Sequence, residues 1–175
     1  LLKLLNDNDV FAFDTETTGL DIYTSSLVGM SFSVKAHEAY YLPLPADKEQ
    51  CKSLLNKFLP IFSNEEKTII GHNIKFDLSI LARYEIEIKN NLWDTMIAHY
   101  LIEPELNHSL DYLSDIYAKD GGDIRWQLYE KFKTLLYENN LDNLFYEIEM
   151  PLVRVLAKME ANGVKIDIEG LRQIS

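Results

Sequence analysis

Two carboxylates stand two residues apart in Val10-Phe11-Ala12-Phe13-Asp14-Thr15-Glu16-Thr17-Thr18-Gly19, a run that begins as an apolar strand. Side chains alternate along a strand, so Asp14 and Glu16 point to the same face and their like charges repel. A divalent cation between them resolves the conflict. A solvated strand end is the plainer alternative, and strand geometry alone leaves both open.

A third acid shifts the balance toward a cation. Beyond Gly71-His72-Asn73, Ile74, Leu78 and Leu81 recur at the spacing that packs one helix face onto a core, and Asp77 lies within that stripe. A carboxylate buried among aliphatic side chains is costly or takes up a proton unless it finds a partner. That partner is either a cation shared with Asp14 and Glu16 or a set of backbone hydrogen bonds. Three carboxylates form an all-oxygen site suited to magnesium or manganese. Two such ions about 3.5–4 Å apart would stabilise the attacking and leaving oxygens of a phosphoryl displacement.

The elements that must position these acids follow from periodicity. Residues 10–16, about 27–35 and about 38–43 read as strands, the second and third joined by the short Lys35-Ala36-His37-Glu38 connection. Asp47 is an expected N-cap for a helix carrying Leu54, Leu55, Phe58 and Leu59, and Thr68–His72 reads as a buried strand. Helices are expected over about 74–84, 94–102, 108–117, 123–138 and 142–161. Asn73 and Asp94 are their expected caps at the first two, and Pro151 is expected to interrupt the last. Gly163 closes that helix, and Val164-Lys165-Ile166-Asp167 returns to strand character. Early strands, two later strand-helix units and a helical tail define a mixed α/β domain.

Composition narrows the partners. The 175 residues, 47% hydrophobic, suffice for one well-buried domain with a small extra element. One cysteine excludes an intrachain disulfide and a cysteine-based zinc site, and suits a reducing compartment. The opening Leu-Leu-Lys-Leu-Leu-Asn-Asp is too quickly charged for a signal peptide, and no apolar run approaches a membrane span, so a soluble, cytoplasmic protein is expected. A formal net charge of -11 argues against extended sequence-independent binding to a nucleic-acid backbone. It permits a small metal-bridged site, where cations supply the positive charge that phosphate requires.

The segments Asp14-Thr15-Glu16-Thr17-Thr18-Gly19-Leu20 and Asn73-Ile74-Lys75-Phe76-Asp77 resemble the first two motifs of the DEDD superfamily of 3'-5' exonucleases, and most closely the proofreading domain of bacterial DNA polymerase I. The tail is similar too. Glu147-Ile148-Glu149-Met150-Pro151-Leu152-Val153 and Met159-Glu160-Ala161-Asn162-Gly163-Val164-Lys165-Ile166-Asp167 resemble the join into the polymerase domain, which disfavours an RNA-trimming relative. The resemblance implies a ribonuclease H-like sheet, with residues 1–146 as the exonuclease domain and 147–175 as the truncated start of the polymerase domain. It implies Asp14, Glu16 and Asp77 as ligands of two divalent cations, Mg2+ or Mn2+ with Zn2+ as a substitute. Leu20 would pack on the terminal base and Asn73 would sit near the 3' end. The implied partners are the single-stranded 3' end of DNA and the polymerase domain, in a monomer of the bacterial cytoplasm. The implied reaction is release of deoxynucleoside monophosphates.

The family's third motif, a tyrosine followed four residues later by an aspartate, is altered. Alignment on Asp123-Ile124-Arg125-Trp126-Gln127-Leu128 puts Tyr117 at the tyrosine, where it would orient the attacking water, but Gly121 at the aspartate. Asp120 and Asp123 flank the gap, and Asp120 is the candidate replacement ligand. Neighbouring helical positions differ by about 100°, so neither acid faces the same metal automatically. The chain is also shorter here than its relatives. Two readings therefore stand: an active metal-dependent exonuclease, and an exonuclease-fold structural or DNA-end-binding module with weak or lost hydrolysis.

The remaining polar residues carry less. His72 at a strand end reads as packed rather than catalytic, and His99 and His108 fit no zinc spacing. Trp93 and Trp126 read as core, and Lys75 as solvated more readily than as a phosphate contact. No Gly-rich phosphate loop or Ser/His/Asp arrangement is present.

Overall fold

The first three strands form an antiparallel meander because each alternates or runs apolar between turn residues. These are β1 (Val10–Thr17), β2 (Leu27–Ser33) and β3 (Tyr40–Pro43). A computed structural model describes residues 1–117 and 123–174. β4 (Thr68–Gly71) and β5 (Asn91–Asp94) then pair parallel to β1 and to each other, giving one five-stranded sheet in the order β3-β2-β1-β4-β5. Parallel pairing requires crossovers. They are supplied by α2 (Lys48–Leu55) and α3 (Leu59–Phe62) ahead of β4 and by α4 (Ile74–Ala82) between β4 and β5, while α1 (Leu2–Asn6) precedes the sheet and was not expected. Asp47 caps α2 as expected, its carboxylate accepting from Gln50 N–H.

The helical half comprises α5 (Thr95–Ile102), α6 (Leu110–Tyr117), α7 (Ile124–Glu138), α8 (Asp142–Leu144), α9 (Met150–Asn162) and α10 (Ile168–Ile174). The expected interruption near Pro151 is a π-helical turn at Phe145–Glu149, just before it, and the helical path runs on through the proline into α9. Val164–Asp167 forms no strand. Its alternating aliphatic residues find no sheet edge, and Val164 and Ile166 stay exposed.

The register of β1 against β2 sorts the two faces. Phe13 opposes Phe32 and Thr15 opposes Met30, and this face carries a cluster of rings in which Phe32 packs on Phe11, Phe13 and Phe58, and Phe62 packs on Phe13 and Phe58. Ala12, Asp14 and Glu16 point the other way, opposite Ser33, Ser31 and Gly29. There α7 approaches β1 and β4, packs on α5, and buries Arg125, Leu128, Phe132 and Leu136 along one stripe. No helix among the described residues is long and apolar enough to cross a membrane.

Candidate active site

The polar residues collect where β1, β4 and β5 end side by side. β4 pairs with β1 only as far as Ala12 opposite Ile70, so the β1 edge beyond that register is open to α4. Asp77 takes it. One carboxylate oxygen, Oδ1, accepts from the Thr15 backbone N–H at 2.8 Å and from the Thr15 hydroxyl at 2.6 Å. The side chain is buried, at 2% exposure. Burial, and then the Asp14 charge, raise the Asp77 carboxyl well above the usual carboxylate range, although the Thr15 hydrogen bonds oppose the shift. The backbone partner weighed for Asp77 is therefore present, supplied by the residue between the two strand acids.

Asn73 stands at the start of α4 in the left-handed region, with φ 58°, and its side chain makes no capping bond. The expected cap is corrected: Asp94 does that work from the end of β5. Its Oδ1 and Oδ2 accept from Asn73 N–H and Ile74 N–H at 3.2 and 2.7 Å, and Oδ1 also accepts from Met96 N–H and Ile97 N–H at the start of α5. One buried carboxylate thus fixes the N-termini of two helices. Beside it, Thr95 donates its hydroxyl to Gly71 C=O, which leaves its oxygen to accept from His72 Nδ1–H at 2.8 Å. Burial, with the Arg125 charge second, lowers His72 to about 4, so its ring is neutral. This agrees with a packed rather than catalytic histidine.

Asp14 meets a cation, but it is a side chain. Arg125, in the first turn of α7, places Nη1 at 2.9 Å from Asp14 Oδ1, a close charge contact rather than a directed hydrogen bond. Its Nε and Nη2 grip Asp123 Oδ1 and Oδ2, each at 3.2 Å, and Nη2 also donates to Ser31 Oγ at 3.1 Å. Ser31 is the register partner of Asp14, so the guanidinium lies across the β1–β2 pair. Asp123 in turn caps α7 by accepting from Arg125 N–H. Burial alone would lower the Arg125 pKa, but Asp14 and Asp123 outweigh it and raise it. Partial desolvation and the Asp14 charge push Glu16 up, while Arg125 pulls it down.

These contacts decide whether a divalent ion fits. Asp14 faces a guanidinium and Asp77 Oδ1 is committed to Thr15. Among the described residues no group of three or more histidine, cysteine, aspartate or glutamate side chains is placed to hold a metal ion. As placed, the described side chains do not fit a pair of divalent cations. Asp120 and Gly121 lie outside the described residues.

The other expected site residues are dispersed. The Tyr117 hydroxyl is 3.5 Å from His99 Nε2, and its ring packs edge-on against Phe132, a cluster in which His99 and His108 meet through their Nδ1 atoms at 2.7 Å. Leu20 projects freely after β1, at 91% exposure. Lys75 is partly exposed and pairs with Glu160 of α9, whose backbone carbonyl also accepts from Tyr23. Trp93 is core, packed edge-on against Tyr129. Sequence reasoning missed Arg125. Its signal was available, because Arg125, Leu128, Phe132 and Leu136 share the buried stripe of α7 just as Asp77 shares that of α4.

Comparison with known proteins identifies the family and the fold. The model of a 3'-5' exonuclease family matches residues 1–142. DNA polymerase I of Borreliella burgdorferi is 33% identical over 204 aligned positions, covering 98% of this chain and 22% of that protein. The chain thus spans about a fifth of that relative, and an alignment longer than 175 residues means that the relative carries segments this chain lacks. Among solved structures, the POL domain of Pol1 from M. smegmatis in complex with DNA primer-template and dNTP superposes with TM-score 0.75 at 20% identity, over 99% of this chain and 32% of that one. Brucella melitensis NrnC with bound Mg2+ gives TM-score 0.72 at 19% identity, over 92% and 90%. The mixed sheet with flanking helices is the ribonuclease H-like fold of these exonuclease domains.

Proposed function

Because this chain belongs to the 3'-5' exonuclease family of DNA polymerase I, we propose that it serves as the exonuclease-fold domain of such a polymerase, seating a DNA 3' end with hydrolysis weak or lost. The observation that carries this reading is the ion pair of Arg125 with Asp14, which puts a permanent side-chain cation on a carboxylate the family resemblance assigns to metal. Gly121 in place of the third-motif aspartate supports it from the sequence. Loss of a metal-binding partner removes most of a metal site's advantage while the surrounding fold persists.

Two residues are available to such a seat. Leu20 offers an exposed aliphatic surface to a terminal base, and the left-handed Asn73 stands at the start of α4. Affinity is modest without a basic neighbour, since the chain's formal net charge is -11. The polymerase domain that would follow from Glu147 is the natural supplier of that charge. The segment that begins the join is docked rather than separate: Arg154 of α9 donates to the Ile88 and Asn90 carbonyls.

The second reading, metal-dependent release of deoxynucleoside monophosphates, draws on one observation. Asp14 lies close enough to both Glu16 and Asp77 for its charge to raise each of them. Degradation of a 5'-labelled single-stranded DNA in Mg2+ or Mn2+ separates the two. The proposal expects no more mononucleotide from this chain than from Asp14→Ala, together with 3'-end binding that weakens in Leu20→Ala. Asp14-dependent release of mononucleotide would replace it with the second reading.

A further inference from the structure

We propose that Arg125 is the resident cation of the carboxylate crevice, a built-in counter-ion that holds Asp14 and thereby closes the site to divalent metal. This deepens the reading of weak or lost hydrolysis and rests on it. Arg125 is 8% exposed and its guanidinium is fixed from three sides: Asp123 grips it bidentately, Ser31 accepts from Nη2, and Asp14 faces Nη1. Asp123 is itself buried and anchored as the α7 N-cap, so the clamp is set by the start of the helix rather than by a free side chain.

The geometry opposes sharing at Asp14 Oδ1. A magnesium ion on an Asp14 oxygen needs an oxygen distance of about 2.0–2.1 Å and an octahedral shell around it. Nη1 already stands 2.9 Å from Oδ1, so an ion approaching that oxygen meets both its volume and its positive charge. Guanidinium keeps its proton at any pH a protein tolerates, so the crevice cannot be opened by titrating the arginine. Asp77 does not compete for the arginine, because it is held from the other side of β1 by Thr15. One guanidinium therefore offsets part of the negative charge: Arg125 lies against Asp14 and Asp123, and its field also reaches Glu16 and Asp77.

The test measures Mn2+ binding by electron paramagnetic resonance, alongside thermal melts with and without Mn2+. It compares the chain with Arg125→Ala, Arg125→Gln and the double variant Arg125→Gln/Asp14→Asn. Glutamine keeps a hydrogen-bonding partner for Asp123 and Ser31 while removing the charge, so it decides the matter if alanine does not fold. The expected result is no saturable Mn2+ binding by the chain in the millimolar range. At least tenfold tighter binding by Arg125→Gln, with a Mn2+-dependent rise in melting temperature, is expected, and loss of that gain in the double variant. Equal Mn2+ affinity in the chain and in Arg125→Gln overturns the proposal. If both bind weakly and the chain does not cut DNA, the counter-ion inference fails while the reading of lost hydrolysis stands on Gly121. If the chain itself binds Mn2+ tightly and cuts, both fail.

Discussion

Replacing Asp94 by alanine should loosen the candidate site without touching any of its expected metal ligands. The Asp94 carboxylate accepts from four N–H groups, two at the start of α4 and two at the start of α5, at distances of 2.7 to 3.3 Å. Removing a helix cap costs about 0.5–2 kcal/mol, and each buried donor left without a partner adds to that. Two caps lost together should destabilise the chain by about 3 kcal/mol, offset in part because burial raises the Asp94 pKa and so already opposes its charge. For a chain of this size that corresponds to a fall of about 6–12 °C in Tm. Asp94→Asn keeps one acceptor oxygen and should lose about half as much, because its amide nitrogen faces donors it cannot accept from. Urea denaturation supplies the free energies, and hydrogen exchange at the Ile74 and Ile97 amides locates the effect. A loss below about 0.5 kcal/mol in Asp94→Ala, the range of ordinary surface substitutions, would refute the double-cap assignment.

Three further outcomes follow from named contacts. His72 is held neutral with its pKa lowered to about 4, so between pH 6.5 and 4 the unfolded chain binds a proton that the native chain does not. The stability due to His72 is fully present above pH 6.5 and is lost on acidification toward pH 4, by about 3 kcal/mol at most; a stability difference between the chain and His72→Gln that stays constant from pH 7 to 4.5 contradicts this. Thr15→Val keeps the shape of the strand but removes the 2.6 Å hydroxyl bond to Asp77, and should cost about 1–2 kcal/mol in chemical denaturation, whereas an unchanged midpoint would show that the contact is dispensable. Lys75→Ala breaks a partly exposed pair with Glu160 and should change stability by no more than about 0.5 kcal/mol; a loss above about 1 kcal/mol would mean that this pair holds α9 in place.

Local chemistry made much of the scaffold legible, and distance hid most of the site. β1 and the capped start of α5 were readable because Phe, Val and Thr alternation and the Leu92-Trp93-Asp94-Thr95 step act over a few residues. The capping of α4 was not. Asn73 is the right residue type in the right place, yet its left-handed backbone turns it away from the role, and the cap comes from Asp94 across the β4–β5 pair. The closeness of Asp14 to Asp77 followed from two independent stripes, but the Thr15 hydrogen bonds depend on β1 running on to Thr17 past its last β4 pair, Ala12 with Ile70. Arg125 reaches Asp14 from more than a hundred residues away, and only its place in the buried stripe of α7 marked it. Val164–Asp167 misled because alternation signals a strand only where a sheet edge is available to receive it.

The most direct test is diffraction from crystals of the chain soaked in Mn2+, with anomalous scattering recorded at the manganese edge. The account predicts no anomalous peak among Asp14, Glu16 and Asp77, and a guanidinium of Arg125 still within contact of Asp14 and Asp123. A manganese peak bridging Asp14 and Asp77, with Arg125 swung out of the crevice, would contradict it.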